Sequence, residues 1–106
     1  MASISTTYKL VITDRAQEDI NEYIETIINT FDAPRTAKKH YDDLYNLLRK
    51  IEQYPMSNPI RYGLSLLQYG YNVRRVNYKK MAILYTVNGN NIYVHRVIAG
   101  SLITGL

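Results

Sequence analysis

From Met81 onward the chain alternates: Met81, Ile83, Tyr85 and Val87 are interleaved with Ala82, Leu84 and Thr86. A period of two puts successive side chains on opposite faces of a strand, so this segment is constrained to lie in a sheet. Asn88-Gly89-Asn90-Asn91 follows, residue types that tolerate a positive φ, and Ile92–Ile98 is again rich in β-formers. A hairpin is predicted, with Gly89-Asn90 as its two-residue loop; a four-residue loop is the alternative. The two-residue register sets Tyr85 opposite Val94, Leu84 opposite His95 and Ile83 opposite Arg96. Upstream, Val73–Tyr78 reads as a further strand of the same antiparallel set. It brings Arg74, Arg75, Lys79 and Lys80 beside Arg96.

What precedes that sheet reads as one strand and two helices. Tyr8–Ile12 is a short run of β-formers that stops at Thr13-Asp14. A helix is predicted from there, capped by Thr13 or Asp14, with Asp14 and Gln17 in capping-box spacing. Its apolar series is Ala16, Ile20, Tyr23, Ile24, Ile27, Ile28 and Phe31, and Glu18, Asp19, Glu22 and Glu25 form a solvated acidic face. Ala33-Pro34 restarts the chain with Pro in a first turn. The second helix buries Ala37, Tyr41, Leu44, Leu48 and Ile51 and stops at Tyr54-Pro55, because a residue before Pro is pushed out of the α region. The short link makes the two helices an antiparallel hairpin, and their shared apolar side needs the sheet as cover. Residues 55–70, with two Pro and two Gly, read as a surface loop with a turn of strand near Leu66-Leu67. The tail 98–106 is apolar and uncharged, and is expected either to tuck against a sheet edge or to serve a partner. The fold class is therefore α+β: a strand, a two-helix hairpin and three antiparallel strands, with the helices on one face of a single antiparallel sheet. One domain is expected over residues 1–106.

Charge is divided unevenly along this layout. Residues 1–52 hold seven Lys or Arg and nine acids, net −2, whereas residues 53–106 hold Arg61, Arg74, Arg75, Lys79, Lys80 and Arg96 with no acid, net +6. An acid-free basic face suits a polyanion or an acidic protein segment; a merely soluble basic surface is the plainer alternative. The chain has no Cys and two His, so neither a disulfide framework nor a zinc site is expected, and no cofactor or metal is predicted. The N-terminal MASISTT lacks the basic and apolar regions of a secretion signal, and no run approaches the roughly 18 apolar residues of a membrane span. A cytoplasmic location away from membranes is the expectation.

Several segments resemble the RelE/ParE superfamily of bacterial toxins. They are YKLVIT followed by an A-x-x-D-I helix core (Ala16, Asp19, Ile20), the I-x-x-Y-P stop of the second helix (Ile51, Tyr54, Pro55), VRRVNY, AILYTV and the closing IYVHRVIAG. The resemblance runs from Tyr8 to Gly100 and rests on order and spacing rather than on any single motif. It implies a growth-inhibiting toxin neutralised by an acidic antitoxin encoded beside it, with DNA gyrase, or the ribosome and its mRNA, as target. The nuclease members resemble one another in an aromatic-Arg pair opening the third strand, in a basic pair past the last strand and in an aromatic beyond it. Here those positions read Met81-Ala82 and Ser101-Leu102, without the aromatic. The resemblance therefore favours the gyrase-directed branch. A divergent metal-independent mRNA endonuclease and a degenerate toxin that only binds its antitoxin are the alternatives. If RNA is cut, the candidates are Arg74, Arg75, Lys79 or Lys80 on phosphate and His95 or a Tyr as proton donor, with Arg96 as a further candidate. Candidate contacts to target or antitoxin are Arg61, Arg74, Arg75, Lys79, Lys80, Arg96, Leu102 and Ile103. The eleven Tyr are read mainly as core and sheet residues, with base stacking as the alternative.

Overall fold

The computed structural model describes residues 7–103. Strand β1 (Lys9–Ile12) leads into helix α1 (Asp14–Phe31), α2 (Pro34–Gln53), a 3₁₀ segment (Leu64–Tyr69), β2 (Arg74–Tyr78), β3 (Met81–Asn88), β4 (Asn91–Ala99) and a last 3₁₀ turn (Gly100–Leu102). The strands form one sheet in the order β1-β4-β3-β2. The α+β layout is as expected, but the sheet is mixed: β1 lies parallel to β4, Lys9 beside Asn91 and Ile12 beside Val94. No hairpin loop ties β1 to its neighbour, and an apolar pattern is indifferent to strand direction, so the sequence could not orient it.

Thr13 converts β1 into α1. Its hydroxyl donates to the Val94 carbonyl at 2.8 Å and accepts from the Ala16 amide at 3.2 Å. Thr13 is thus the cap, and the Asp14–Gln17 box is not the device used; the Gln17 side chain instead donates to Asn21. α1 and α2 are joined by Asp32-Ala33, with Asp32 left-handed at φ 46°.

The main core lies between the helices and one sheet face: Ala16, Ile20, Leu44, Leu48 and Ile51 meet Ile83, Tyr85, Ile92, Val94 and Val97. Three positions of the expected helix stripes are exposed instead. Tyr41 packs on Tyr45 with ring centroids 4.6 Å apart, and Ile28 and Phe31 lie near the helix hairpin tip. A second cluster covers the opposite sheet face, where Leu66, Val73 and Leu84 are buried with Tyr69 and Ile103 against them. Residues 55–63 are loop as expected, but the strand character lies at Ile60, which bridges Arg74, and Leu66-Leu67 belongs instead to the 3₁₀ segment. The 3₁₀ segment turns Leu66 inward while Leu64 and Leu67 stay exposed.

The β3–β4 hairpin closes through Gly89-Asn90, with Gly89 at φ 60° and Tyr85 opposite Val94, as expected. Beyond that the register shifts: Leu84 pairs with Arg96 and Ile83 with Val97. His95 is the extra residue of a β-bulge. Without it Arg96 would share the parity of Ile92 and Val94 and enter the apolar core, where an unpaired charge is very costly. The bulge gives that core position to Val97. Pattern reading missed it because one inserted residue leaves both half-strands looking regular.

The β2–β3 hairpin turns at Lys79-Lys80, with Lys79 left-handed at φ 54°. Lys and Lys carry no turn signal, but the turn falls in the gap between the expected strands, Val73–Tyr78 and Met81 onward. The apolar tail begins inside β4, which runs to Ala99, and Ile103 reaches the second cluster. Thr104–Leu106 of that tail, like the first six residues, lie outside the described residues.

Candidate functional site

Arg74 and Arg75 are neighbours in β2 and therefore face opposite ways. Arg74 shares the helix-side face with its partner Tyr85, and its Nη1 donates to the carbonyls of Asn58 and Met56. The Tyr85 hydroxyl, fully buried, donates to the Pro55 carbonyl at 2.7 Å and accepts from Asn58 Nδ2 at 3.1 Å. Burial raises the Tyr85 pKa. Arg74 and Tyr85 together strap residues 55–58 to the sheet. The Arg74 guanidinium is thereby committed to backbone rather than held out to phosphate.

Arg75 lies on the other face, in one row with Leu84 and Arg96. Its Nε donates to Asn77 Oδ1 at 2.8 Å, and its guanidinium passes over Gly100, where a Cβ would stand 2.8 Å from Nη2. Lys79 and Lys80 are exposed at the adjoining turn, with Lys79 Nζ 5.8 Å from the Tyr78 ring centre. The Lys80 carbonyl accepts from the Gly100 amide at 2.8 Å.

Arg96 is held by an acid. β1 ends beside Val94, so the outer edge of β4 beyond it faces α1, and Asp19 lies against that edge. Its Oδ2 accepts from Arg96 Nε at 2.7 Å and from the Val97 amide at 3.0 Å, and Oδ1 accepts from Arg96 Nη2 at 3.1 Å. The bonds to Asp19 raise the Arg96 pKa further and keep the guanidinium charged. Asp19 is 7% exposed, so it is part of the interior and not of the solvated acidic face. The signal lay in the A-x-x-D-I core, where Asp19 sits between two residues that are fully buried, Ala16 and Ile20. Glu18, Glu22 and Glu25 are exposed as expected.

His95, beside it on the bulge, has Nε2 2.8 Å from the Thr86 hydroxyl and its ring stacked on Tyr69 at 5.3 Å. Burial lowers its pKa, so the imidazole is held neutral at pH 7. A second His is likewise engaged: His40 Nδ1 lies 2.7 Å from the Tyr23 hydroxyl, edge-on to Tyr78. The Tyr78 hydroxyl donates to Asp43 at 3.2 Å, and burial followed by that bond pushes its pKa up to about 12. Among the described residues no group of three or more His, Cys, Asp or Glu could hold a metal ion. No helix among them is long and apolar enough to cross a membrane.

RNA cleavage asks for a group that activates the 2′-hydroxyl, a cation for the developing phosphate charge and an acid for the leaving oxygen. Arg96 is charge-paired, Arg74 is bound to carbonyls and His95 is stacked. Arg74 lies on the sheet face opposite to Arg75 and Arg96, so these cations do not form one cradle for a phosphate.

Leu102 and Ile103 line a cavity with Arg96 and Tyr69, whereas Arg61 falls elsewhere. Leu102 is 69% exposed, while Ile103 is half-buried in the second cluster. Arg61 borders a groove of about 390 Å³ formed with Tyr62, Leu64, Leu66, Leu67 and Tyr71. Sequence reading missed this groove because it lies in the segment taken for a loop.

The sequence matches the family model of the ParE toxin of type II toxin–antitoxin systems (parDE) over residues 10–101. Among solved structures, a chain of a chromosomal ParDE TA system from P. aeruginosa superposes with a TM-score of 0.73 at 18% identity, over 90% of this chain and 98% of that one. No curated protein matches significantly.

Proposed function

Because the chain belongs to the ParE toxin family of type II toxin–antitoxin systems, we propose that it arrests growth by binding and blocking DNA gyrase, and that a cognate acidic antitoxin neutralises it. The observation that carries the choice of target is the commitment of its cations. Arg96 is bonded to buried Asp19 at 2.7 Å, Arg74 binds backbone carbonyls, and the neutral His95 is stacked on Tyr69. Removing one well-placed donor from a catalytic site commonly costs about 10²–10³ in rate, and here several groups are engaged in holding the fold. A blocking toxin needs surface rather than acid–base chemistry, and surface is what Arg61, Lys79, Lys80 and Leu102 offer a partner.

The competing reading, a ribosome-dependent mRNA endonuclease, rests on Arg75 with Lys79 and Lys80. These share one end of the sheet and carry no carboxylate partner among the described residues. Primer extension on an in vitro translation reaction separates the two. Intact message is expected; A-site cuts that vanish in Arg75→Ala/Lys80→Ala would establish the nuclease. Coexpression with the adjoining reading frame is expected to relieve a growth defect seen on expression alone, and growth unaffected by expression alone would refute toxicity.

A further inference from the structure

The groove under the 3₁₀ segment is unlike the rest of the surface. Its floor is Leu66, 2% exposed, and its walls are large side chains left in water: Tyr62 at 76%, Leu64 at 81%, Leu67 at 50% and Tyr71 at 82%. Contiguous exposed apolar residues of this size mark interaction sites more than solvated loops. Tyr, Leu and Arg around one concave patch is also the make-up of an interface centre. Arg61 stands at the rim with no ion-pair partner among the described residues.

We propose that this groove seats an acidic segment of the antitoxin, which inserts apolar side chains over Leu66 and sets a carboxylate on Arg61. The inference rests on the antitoxin reading above and names the surface it uses. Charge selects the occupant. All nine acids of the chain lie between Asp14 and Glu52, so the groove and everything after it offer positive charge alone. An incoming acidic segment is attracted there and meets no acid of this half. A second copy of the chain fits less well. The exposed acids of α1 are Asp14, Glu18, Glu22 and Glu25, but Ile20 among them is buried in its own core and cannot be inserted, and the exposed Ile28 and Phe31 of that helix follow Glu25 alone.

The test is isothermal titration calorimetry of the full chain with the purified product of the adjoining reading frame. Leu64→Glu and Leu67→Glu are each expected to weaken binding about 30-fold or more, the loss of a buried anchor. Both side chains are half or more exposed, so melting temperature should not change. Lys39→Gln, an equal change of charge on exposed α2, should bind within twofold of the parent. Should a leucine variant fold poorly, Arg61→Glu answers the same question, with about tenfold weaker binding and a shallower salt dependence expected. Groove variants that bind as tightly as the parent would overturn the proposal while leaving the antitoxin reading intact. A parent chain that does not bind at all removes both. A parent that is dimeric alone, and monomeric as Leu64→Glu, would assign the groove to self-association instead.

Discussion

Asp19 accepts three hydrogen bonds on two oxygens, from Arg96 Nε and Nη2 and from the Val97 amide, at a position only 7% exposed. Removing one partner of such a pair leaves the other charge buried without compensation, at about 3–5 kcal/mol. Arg96→Ala is expected at the lower end, about 3 kcal/mol by urea denaturation, because the Arg96 side chain is 21% exposed and water can partly replace it. Adding Asp19→Asn to that variant should recover part of the loss; equal or greater loss would mean that the charge pair is not what holds the β4 edge. His95 gives a pH dependence. Its folded pKa lies below 6.5 because burial disfavours the cation, so the unfolded chain binds the proton more readily. Stability from this group is full above pH 6.5 and is lost as the pH falls through the folded value. His95→Gln should therefore flatten the fall in melting temperature below pH 6.5, and an unchanged profile would exclude His95 as its source.

At the scale of elements, the segment after α2 is held by side chains as well as by one antiparallel bridge, Ile60 to Arg74, with the Arg61 amide on the Val73 carbonyl. The buried Tyr85 hydroxyl serves Pro55 and Asn58, and Arg74 serves Met56 and Asn58. Tyr85→Phe removes no packing volume but leaves a buried carbonyl and an amide unpaired, which costs about 1–3 kcal/mol. Amide exchange over residues 56–60 is expected to quicken more than in α1 or β4, and uniform quickening would refute a local strap. Regular elements were legible in the sequence because their periods are fixed by geometry: both helices, the strands that pair, and the Gly89-Asn90 turn followed from spacing alone. The bulge at His95 and the parallel placing of β1 were not. Each depends on what lies across the sheet, namely the cost of burying Arg96 and the space beside β4 that β1 fills.

For the whole molecule, the candidate site was legible in its charge and not in its geometry. The acid-free second half was plain from residues 53–106, but alternation along β2 sends Arg74 and Arg75 to opposite faces. Asp19, counted with a solvated face, neutralises Arg96 from a helix 77 residues away in sequence. The cations that looked like one patch are thus divided between holding the fold and facing solvent. The groove at Arg61–Tyr71 had no periodic signal at all, since a 3₁₀ segment with one buried leucine matches neither a helix nor a strand. A toxin that acts by occupying a large target, with its strand cations engaged internally, should inhibit that target without consuming RNA. DNA supercoiling by purified gyrase, titrated with the purified chain, measures this most directly. Inhibition with accumulation of gyrase-cleaved linear DNA is expected, and it should disappear when the antitoxin is added first. Supercoiling that proceeds undisturbed at a large excess of a chain that still arrests growth would contradict it.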